Sequence, residues 1–249
     1  MKYLESASTD PAFNLALEQY VFDVLSRDDD FFMLWRNREC VVVGLNQDTQ
    51  SEINEGFLTV NGIPVVRRLS GGGAVFHDLG NLNFTFVTRV AEAKVSFEAS
   101  MSPIADALTG LGLDVELSGR NDMTLGGGKI SGSAQYLRDG KLMHHGTLLF
   151  DVDIEKMGEA LRAPAGKLAS KGIKSIRARV TNIKEHLATD MTMETFMASI
   201  RGSIAGNAPG YKLNERDIQA IEKIQRLRYD TWEWNYGKSP DDLVRLIQL

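Results

Sequence analysis

RRLSGGGAVFHDLGNLNFTF, residues 67–86, decides the fold. Its second half alternates, so Leu82, Phe84 and Phe86 share one face of a strand. Its first half places two arginines, three consecutive glycines, a histidine and an aspartate in a turn, and the segment from Pro64 to Val87 therefore predicts strand, glycine loop, strand. Gly71-Gly72-Gly73 is costly in conformational entropy, and a compensating benefit is available. Glycines let backbone N–H groups approach an anion without interference from a Cβ, and a neighbouring arginine adds a charge-assisted fork to phosphate or carboxylate oxygens. A nucleotide phosphate fits such a loop. The alternative is a glycine-rich hairpin with Arg67 and Arg68 merely solvated. The pattern is not the phosphate loop GxxxxGK[ST], since no lysine follows the glycines at the required place.

Upstream, residues 2–6 read as a short strand, and Thr9-Asp10-Pro11 as a helix start, a capping carboxylate followed by proline at the first helical position. The helix should run to about Ser26, burying Phe13, Leu17, Val21 and Val24 and turning Glu18 and Asp23 outward. FFMLW (31–35) and CVVVG (40–44), separated by polar Arg36–Glu39, read as a hairpin. Downstream, 96–111 is helical and ends at Gly110 and Gly112, while 113–150 returns to strands broken by glycine turns. Helical periodicity then covers 153–161, 191–205 and 214–228, the last with apolar Ile218, Ile221, Ile224 and Leu227. This order, free of repeats and long linkers, predicts an α+β fold: one domain over 1–249, a mixed β-sheet flanked by helices.

With 249 residues, 43% hydrophobic and 24% charged, the composition is that of a globular protein. No stretch approaches the roughly 20 apolar residues that span a bilayer, and the acidic N-terminus MKYLESASTDPAF lacks a signal peptide's apolar core, so a cytoplasmic protein without membrane contact is expected. Cys40 is the single cysteine and the four histidines form no HExxH pair, which argues against an internal disulfide and a Cys/His metal cage. A net charge of −5 without a basic face argues against nucleic acid.

Two further segments carry chemistry. GRNDMTLGGGKISGSAQY (119–136) sets Lys129 after a second glycine triplet and before the small residues Ser131, Gly132, Ser133 and Ala134. An ammonium held there could lower the repulsion between a carboxylate and a phosphate and stabilise charge developing between them. An exposed, loose GGGK turn is the other reading. Asn121 and Asp122 could bind a base or help hold Mg²⁺, or could simply be turn residues. In KLMHHGTLLFDVD (141–153), His144 and His145 are adjacent on a strand, so at most one faces a given site.

Taken in order, RRLSGGGAVFHDLGNLNF, GRND, GGKISGSA and HHGTLL resemble the pattern of the lipoate-protein ligase A family, within the biotin/lipoate protein ligase superfamily. The resemblance extends from Asn14 and the segment 35–47 through KGIKSIRARVTNI (171–183) to WEWNYGKSP (232–240). It implies the biotin/lipoate ligase catalytic fold. It also implies ATP-dependent conversion of lipoate to lipoyl-AMP and transfer of the lipoyl group to a lysine of an acceptor lipoyl domain, with Mg²⁺ accompanying ATP.

Carried over by position, the resemblance implies that Arg68 and the backbone of Gly73, Ala74, Val75 and Phe76 bind the nucleotide and the adenylate phosphate. Lys129 would contact both the acyl carboxyl and the phosphate as the catalytic residue. Asn121 and Asp122 fall with the nucleotide, Asp122 also with Mg²⁺, and Ser70, Gly72, His77, Asn81 and His145 fall around the lipoate. The implied acceptors are 2-oxoacid dehydrogenase acyltransferase subunits and the glycine-cleavage H protein. Long family members continue into a C-terminal accessory domain for which this sequence leaves no room, so a separate accessory-domain partner is a further expectation. The competing expectations are an acyltransferase acting through a Cys40 thioester or on a preformed acyl-adenylate, a biotin ligase, and a non-catalytic lipoate binder.

Overall fold

The computed structural model describes residues 1–90, 96–118, 121–162 and 179–237. Gly119 and Arg120 of the GRND motif, 171–178 of KGIKSIRARVTNI and 238–240 of WEWNYGKSP lie outside the described residues. Among these residues ten strands run β1 (Lys2–Glu5), β2 (Phe31–Trp35), β3 (Cys40–Val43), β4 (Val65–Arg67), β5 (Val75–His77), β6 (Asn81–Arg89), β7 (Val115–Ser118), β8 (Asp122–Leu125), β9 (Gly128–Arg138) and β10 (Lys141–Leu149). They form a seven-stranded sheet, β1-β2-β6-β10-β9-β8-β7, and a three-stranded sheet, β4-β3-β5. Among these strands β1–β2 and β3–β4 pair in parallel and the other pairs are antiparallel, so both sheets are mixed.

The two apolar runs expected as a hairpin belong to different sheets: β2 lies between β1 and β6, and β3 between β4 and β5. Both runs are buried at every residue, which requires cover on both faces and neighbours on both edges, and a two-stranded hairpin supplies neither. Between them the chain crosses from one sheet to the other. Asn37 is fully buried at the crossing, and its Oδ1 accepts from Asn14 Nδ2, which also donates to the carbonyls of Ser8 and Arg36.

Among the described residues, eight helices cover the sheets: α1 (Pro11–Asp23), α2 (Thr49–Glu52), α3 (Glu55–Asn61), α4 (Phe97–Thr109), α5 (Ile154–Ala160), α6 (Met193–Ala205), α7 (Glu215–Ile224) and α8 (Trp232–Tyr236). The alternation of β6 holds, since Leu82, Phe84 and Phe86 enter a core closed by Ile104 and Leu108 of α4 and Phe196 and Ile200 of α6. The opposite face of the large sheet packs on α1, with Ile221 and Ile224 of α7 behind it. A third core lies under the small sheet against α3 and α5. None of the helices among the described residues is long and apolar enough to cross a membrane.

Three local expectations change. The Asp10 side chain does not cap α1; it pairs with Arg38 at 3.0 Å and accepts from Gln225 at 2.9 Å, fixing the chain ends around the helix start. Eleven of the thirteen α1 residues are buried, Glu18 among them, because the helix is enclosed between the sheet and the C-terminal helices and keeps almost no solvent face. Past α7 the helix widens into a π turn, Gln225–Tyr229, which shifts its phase: Arg228 and Tyr229 turn inward, while Leu227 and Ile218 are exposed.

Arg67 is not solvated. Its guanidinium is fully buried and donates to the carbonyls of Gly44, Leu45, Gln47, Trp234 and Asn235 and to Thr49 Oγ1, at 2.7–3.1 Å. Trp234 Nε1 donates back to the Arg67 carbonyl and Asn235 Oδ1 accepts from its N–H, so this residue clips α8 to the small sheet and the 44–49 loop. Replacing Arg67 with leucine should lower the unfolding free energy by at least about 3 kcal/mol, because several buried carbonyls lose their donor together. Urea denaturation measures this, and a loss below about 1 kcal/mol would mean that water replaces the guanidinium.

Candidate functional site

A cavity of about 200 Å³ lies between the two sheets. Trp35, Asn83, His145, Thr147, Gly132 and Ala134 line it from the large sheet, and Val42, Arg68, Gly72, Gly73, Ala74, Val75 and His77 from the small sheet and its glycine loop. Leu15 of α1 closes one side, and Asn121 and Lys129 another. The loop is shaped by close approach as well as by φ. Gly72 adopts φ +95°, and a Cβ on Gly44 would fall 1.9 Å from the Gly72 carbonyl oxygen, so a side chain at Gly44 would push the loop away from β3.

Arg68 turns back along the loop. Its Nη2 donates to the carbonyls of Gly71 and Gly73, Nη1 to Val42 and Nε to Ser70 Oγ. Burial pushes its pKa down to about 10, so the group still carries its charge near neutrality. The Ala74 N–H donates to Glu52 Oε2 at 3.1 Å, and the loop thus already holds one carboxylate oxygen.

The counter-charge to Arg68 is Glu18, which sequence periodicity had turned toward solvent. No direct ion pair joins them; a chain of hydrogen bonds does. Trp35 Nε1 donates to Thr85 Oγ1 (3.0 Å), and Thr85 donates to Glu18 Oε1 (2.6 Å). The same carboxylate oxygen meets His145 Nδ1 at 2.7 Å, and His145 Nε2 meets Ser70 Oγ at 2.6 Å. Tryptophan and arginine can only donate, so both ends of the chain run toward the carboxylate: Arg68 to Ser70, Ser70 to His145 Nε2, and His145 Nδ1–H to Glu18. That assignment gives every member of the chain a partner.

Lys129 is held by its backbone. Its N–H donates to the Arg179 carbonyl at 2.6 Å, and its own carbonyl accepts from Thr181 at 3.0 Å, so residues 179–181 form a short edge beside β9. Gly126 and Gly127 turn at φ +57° and +82°, and a Cβ on Gly128 would strike the Thr181 side chain. The GGGK turn is therefore tightly packed. The Lys129 side chain lies over Gly132, where a Cβ would come within 3.0 Å of Nζ, and Nζ pairs with Asp122 Oδ1 at 2.8 Å. Both partners are more than a third exposed, so the pair orients the ammonium more than it stabilises the fold. Asn121 Nδ2 donates to the Ser133 carbonyl, bracing the same corner.

Of the residues picked out in the sequence, Arg68, Gly72, Gly73, Ala74, Val75, His77, Asn121, Lys129 and His145 line the one cavity. Ser70 and Asp122 stand just behind it, joined to His145 and Lys129. Phe76, on the opposite face of β5, enters the core under the small sheet, and Asn81 is buried beside Asn83 with its Nδ2 donating to Asn83 Oδ1. His144 faces away from the cavity, between Phe84 and Phe97. Cys40 is fully buried outside the lining, and burial pushes its thiol up, away from the thiolate a nucleophile needs. Among the described residues no group of three or more His, Cys, Asp or Glu could hold a metal ion. Glu18, Trp35, Asn83, Thr85 and Thr147 join the site without having been expected there from the sequence. A signal for two of them was present, since Asn83 and Thr85 are polar residues alternating with Leu82, Phe84 and Phe86 inside a buried strand.

A cationic glycine loop facing a fixed lysine across a partly apolar cavity defines a domain that binds an anionic ligand with an apolar arm. The family model of the lipoyl protein ligase A/B catalytic domain matches residues 10–205. The lipoate-protein ligase LplJ of Bacillus subtilis (strain 168) is 46% identical over 237 residues, covering 93% of this chain and 72% of that protein. Lipoate–protein ligase 1 of Staphylococcus aureus is 42% identical over 244 residues, covering 96% and 74%. Among solved structures, a bi-partite lipoate protein ligase from Thermoplasma acidophilum superposes with a TM-score of 0.83 at 25% identity, over 96% of both chains. This chain belongs to the lipoyl protein ligase A/B catalytic domain family.

Glu18→Ala should destabilise the protein by about 3–5 kcal/mol, because it strands the Arg68 charge and the His145 N–H in the interior. Glu18→Gln keeps an acceptor oxygen and should lose less. Thermal unfolding of the two variants checks the order, and equal loss would show that the acceptor oxygen is immaterial and that the charge alone carries the effect.

Proposed function

We propose that this chain is an ATP-dependent, AMP-forming lipoate-protein ligase. The observation that carries the reading is that Lys129 and the Arg68 glycine loop line the same cavity, so one bound molecule can touch both. The names of the relatives support it, as do solved relatives described with bound lipoate and with an E2 lipoyl domain.

In the first step a lipoate carboxylate oxygen attacks the α-phosphorus of ATP. A P–O bond forms, the bond to the β-phosphate bridging oxygen breaks, and pyrophosphate leaves. Arg68 and the N–H groups from Gly73 to Phe76 take the phosphate oxygens, with Arg68 exchanging loop carbonyls for the anion. Lys129, oriented by Asp122, sits between carboxylate and phosphate and lowers their repulsion. In the second step the amine of an acceptor lysine attacks the acyl carbon, AMP leaves with the bonding pair, and the amine proton passes to solvent. Positioning and charge neutralisation supply most of the effect, and no covalent enzyme intermediate is needed.

Leu15, Trp35 and Val42 give the acyl arm apolar walls, with Gly72, His77 and His145 beside it and Ser70 and Asn81 behind. Asp122 is already engaged by Lys129, so Mg²⁺ enters with the triphosphate. The acceptors are lipoyl domains of 2-oxoacid dehydrogenase acyltransferase subunits and the glycine-cleavage H protein, in the cytoplasm.

The test is incubation with ATP, Mg²⁺, lipoate and an apo lipoyl domain, with and without supplied lipoyl-AMP, read by intact mass. Wild type should add one lipoyl group. Lys129→Ala should lose at least about a hundredfold in rate, comparable to removing one transition-state donor, while keeping its fold. Cys40→Ala should retain activity. Transfer that depends on Cys40 would establish the thioester route, and binding of lipoyl-AMP without any transfer would establish a binder.

A further inference from the structure

Glu52 ends α2 with its carboxylate against the glycine loop. Its Oε2 accepts from the Ala74 N–H at 3.1 Å, and a Cβ placed on Gly73 would stand 3.7 Å from the same oxygen. Among the described residues no cation lies within ion-pair distance of Glu52, and the Ala74 N–H is the one donor its side chain meets. The backbone around it is held far more firmly. The Glu52 carbonyl accepts from the Arg162 N–H at 2.9 Å, the Asn54 N–H donates to the Ala160 carbonyl at 2.9 Å, and Thr49, at the start of α2, is tied to Asn235 and Arg67. A half-buried side chain on a fixed helix, with a single partner, can turn out to solvent without moving α2.

The loop is thus strung between opposite charges. Arg68 Nη2 holds the carbonyls of Gly71 and Gly73, and Glu52 holds the N–H of the next residue. Burial lowers the Arg68 pKa, and Glu18 and then Glu52 oppose that shift, so the Glu52 charge is felt at the cation. Gly73 and Ala74 line the cavity, and the N–H that Glu52 occupies belongs to its wall. A charge-assisted bond from that N–H is also what a phosphate oxygen would make there. One hydrogen serves one anion, and two anions beside the same donor repel. A phosphate has the advantage of reaching the N–H and the Arg68 guanidinium together, whereas Glu52 takes the N–H alone.

We infer that Glu52 is a built-in competitor for the phosphate of the bound ligand, a carboxylate that the phosphate displaces from the Ala74 N–H and that sets the affinity of the loop for the adenylate. The inference rests on the reading of the site as an acyl-adenylate pocket. In the empty protein Glu52 keeps the N–H paired and the loop in shape. When AMP leaves after transfer, the carboxylate returns to the N–H and favours release. A permanent prop behind the loop would behave in the opposite way, since removing it would loosen the loop and weaken the ligand.

The experiment is isothermal titration of lipoyl-AMP into wild type, Glu52→Gln and Glu52→Ala. Glutamine leaves a neutral acceptor beside Ala74, and alanine leaves none. Glu52→Gln should bind about fivefold more tightly than wild type, the difference between a charge-assisted and a neutral hydrogen bond as the competitor, and Glu52→Ala at least as tightly as Glu52→Gln. Equal or weaker binding by both variants overturns the inference alone and makes Glu52 a prop. Failure of wild type to bind lipoyl-AMP overturns the reading of the site as well. The exchange of partners is also visible in wild type itself, by NMR. The Ala74 amide proton should move when lipoyl-AMP is added, and an unmoved resonance overturns the inference even if neither variant folds.

Discussion

The site depends on two opposite charges buried apart from each other. Arg68 beneath the glycine loop and Glu18 in the first helix are joined only through Ser70 and His145. An unpaired guanidinium in this interior would be expelled or would drag water with it. Direct pairing would instead satisfy Arg68 by a fixed carboxylate and leave it poorly disposed to an incoming anion. Spacing the charges by Ser70 and His145 keeps the cation folded in place while its Nη2 rests on the carbonyls of Gly71 and Gly73. Those are neutral acceptors that an anionic phosphate can outcompete.

That arrangement explains features of the fold that look unrelated. Helix α1 must be enclosed for Glu18 to be dry, and it is enclosed because α7 and its π turn pack over it and Arg228 and Tyr229 both reach Gln19. The loop must approach β3 closely for Arg68 to reach the Val42 carbonyl, and Gly44 leaves that space. The neighbouring Arg67 does the opposite work with the same side chain. With all its donors spent on carbonyls and one hydroxyl, it ties the chain near residue 235 to the sheet edge from which the loop departs. Arg67 ends β4 and Arg68 follows it, with side chains on opposite sides of the chain, so one secures the scaffold and the other serves the cavity.

Much of the site was legible because its chemistry lies in runs of neighbouring residues. Glycines 71–73 and 126–128, with Arg68 and Lys129 beside them, stand out because runs of glycine are costly in conformational entropy, and such cost is spent where the backbone must approach a ligand. Glu18 and Thr85 were not legible in that way. A lone acid on an apolar helix looks the same to periodicity whether it faces water or a histidine 127 residues away. The β2–β3 hairpin failed for a related reason: short apolar runs have the same pattern in a hairpin as in two separate sheets, and only the burial of both faces separates the cases.

By itself the sequence determined the class of fold, the strand–loop–strand around the first glycine triplet, the inward face of β6, and the family motifs that single out Arg68 and Lys129. These are short-range properties, carried by residue type and by a period of two or about 3.6. The tertiary structure alone decided that the strands divide into two sheets with a cavity between them, that Arg67 is structural while Arg68 faces the cavity, and that Glu18 is the counter-charge. Each of these depends on partners tens to hundreds of residues apart, where burial and donor count, and not local pattern, determine which contacts form.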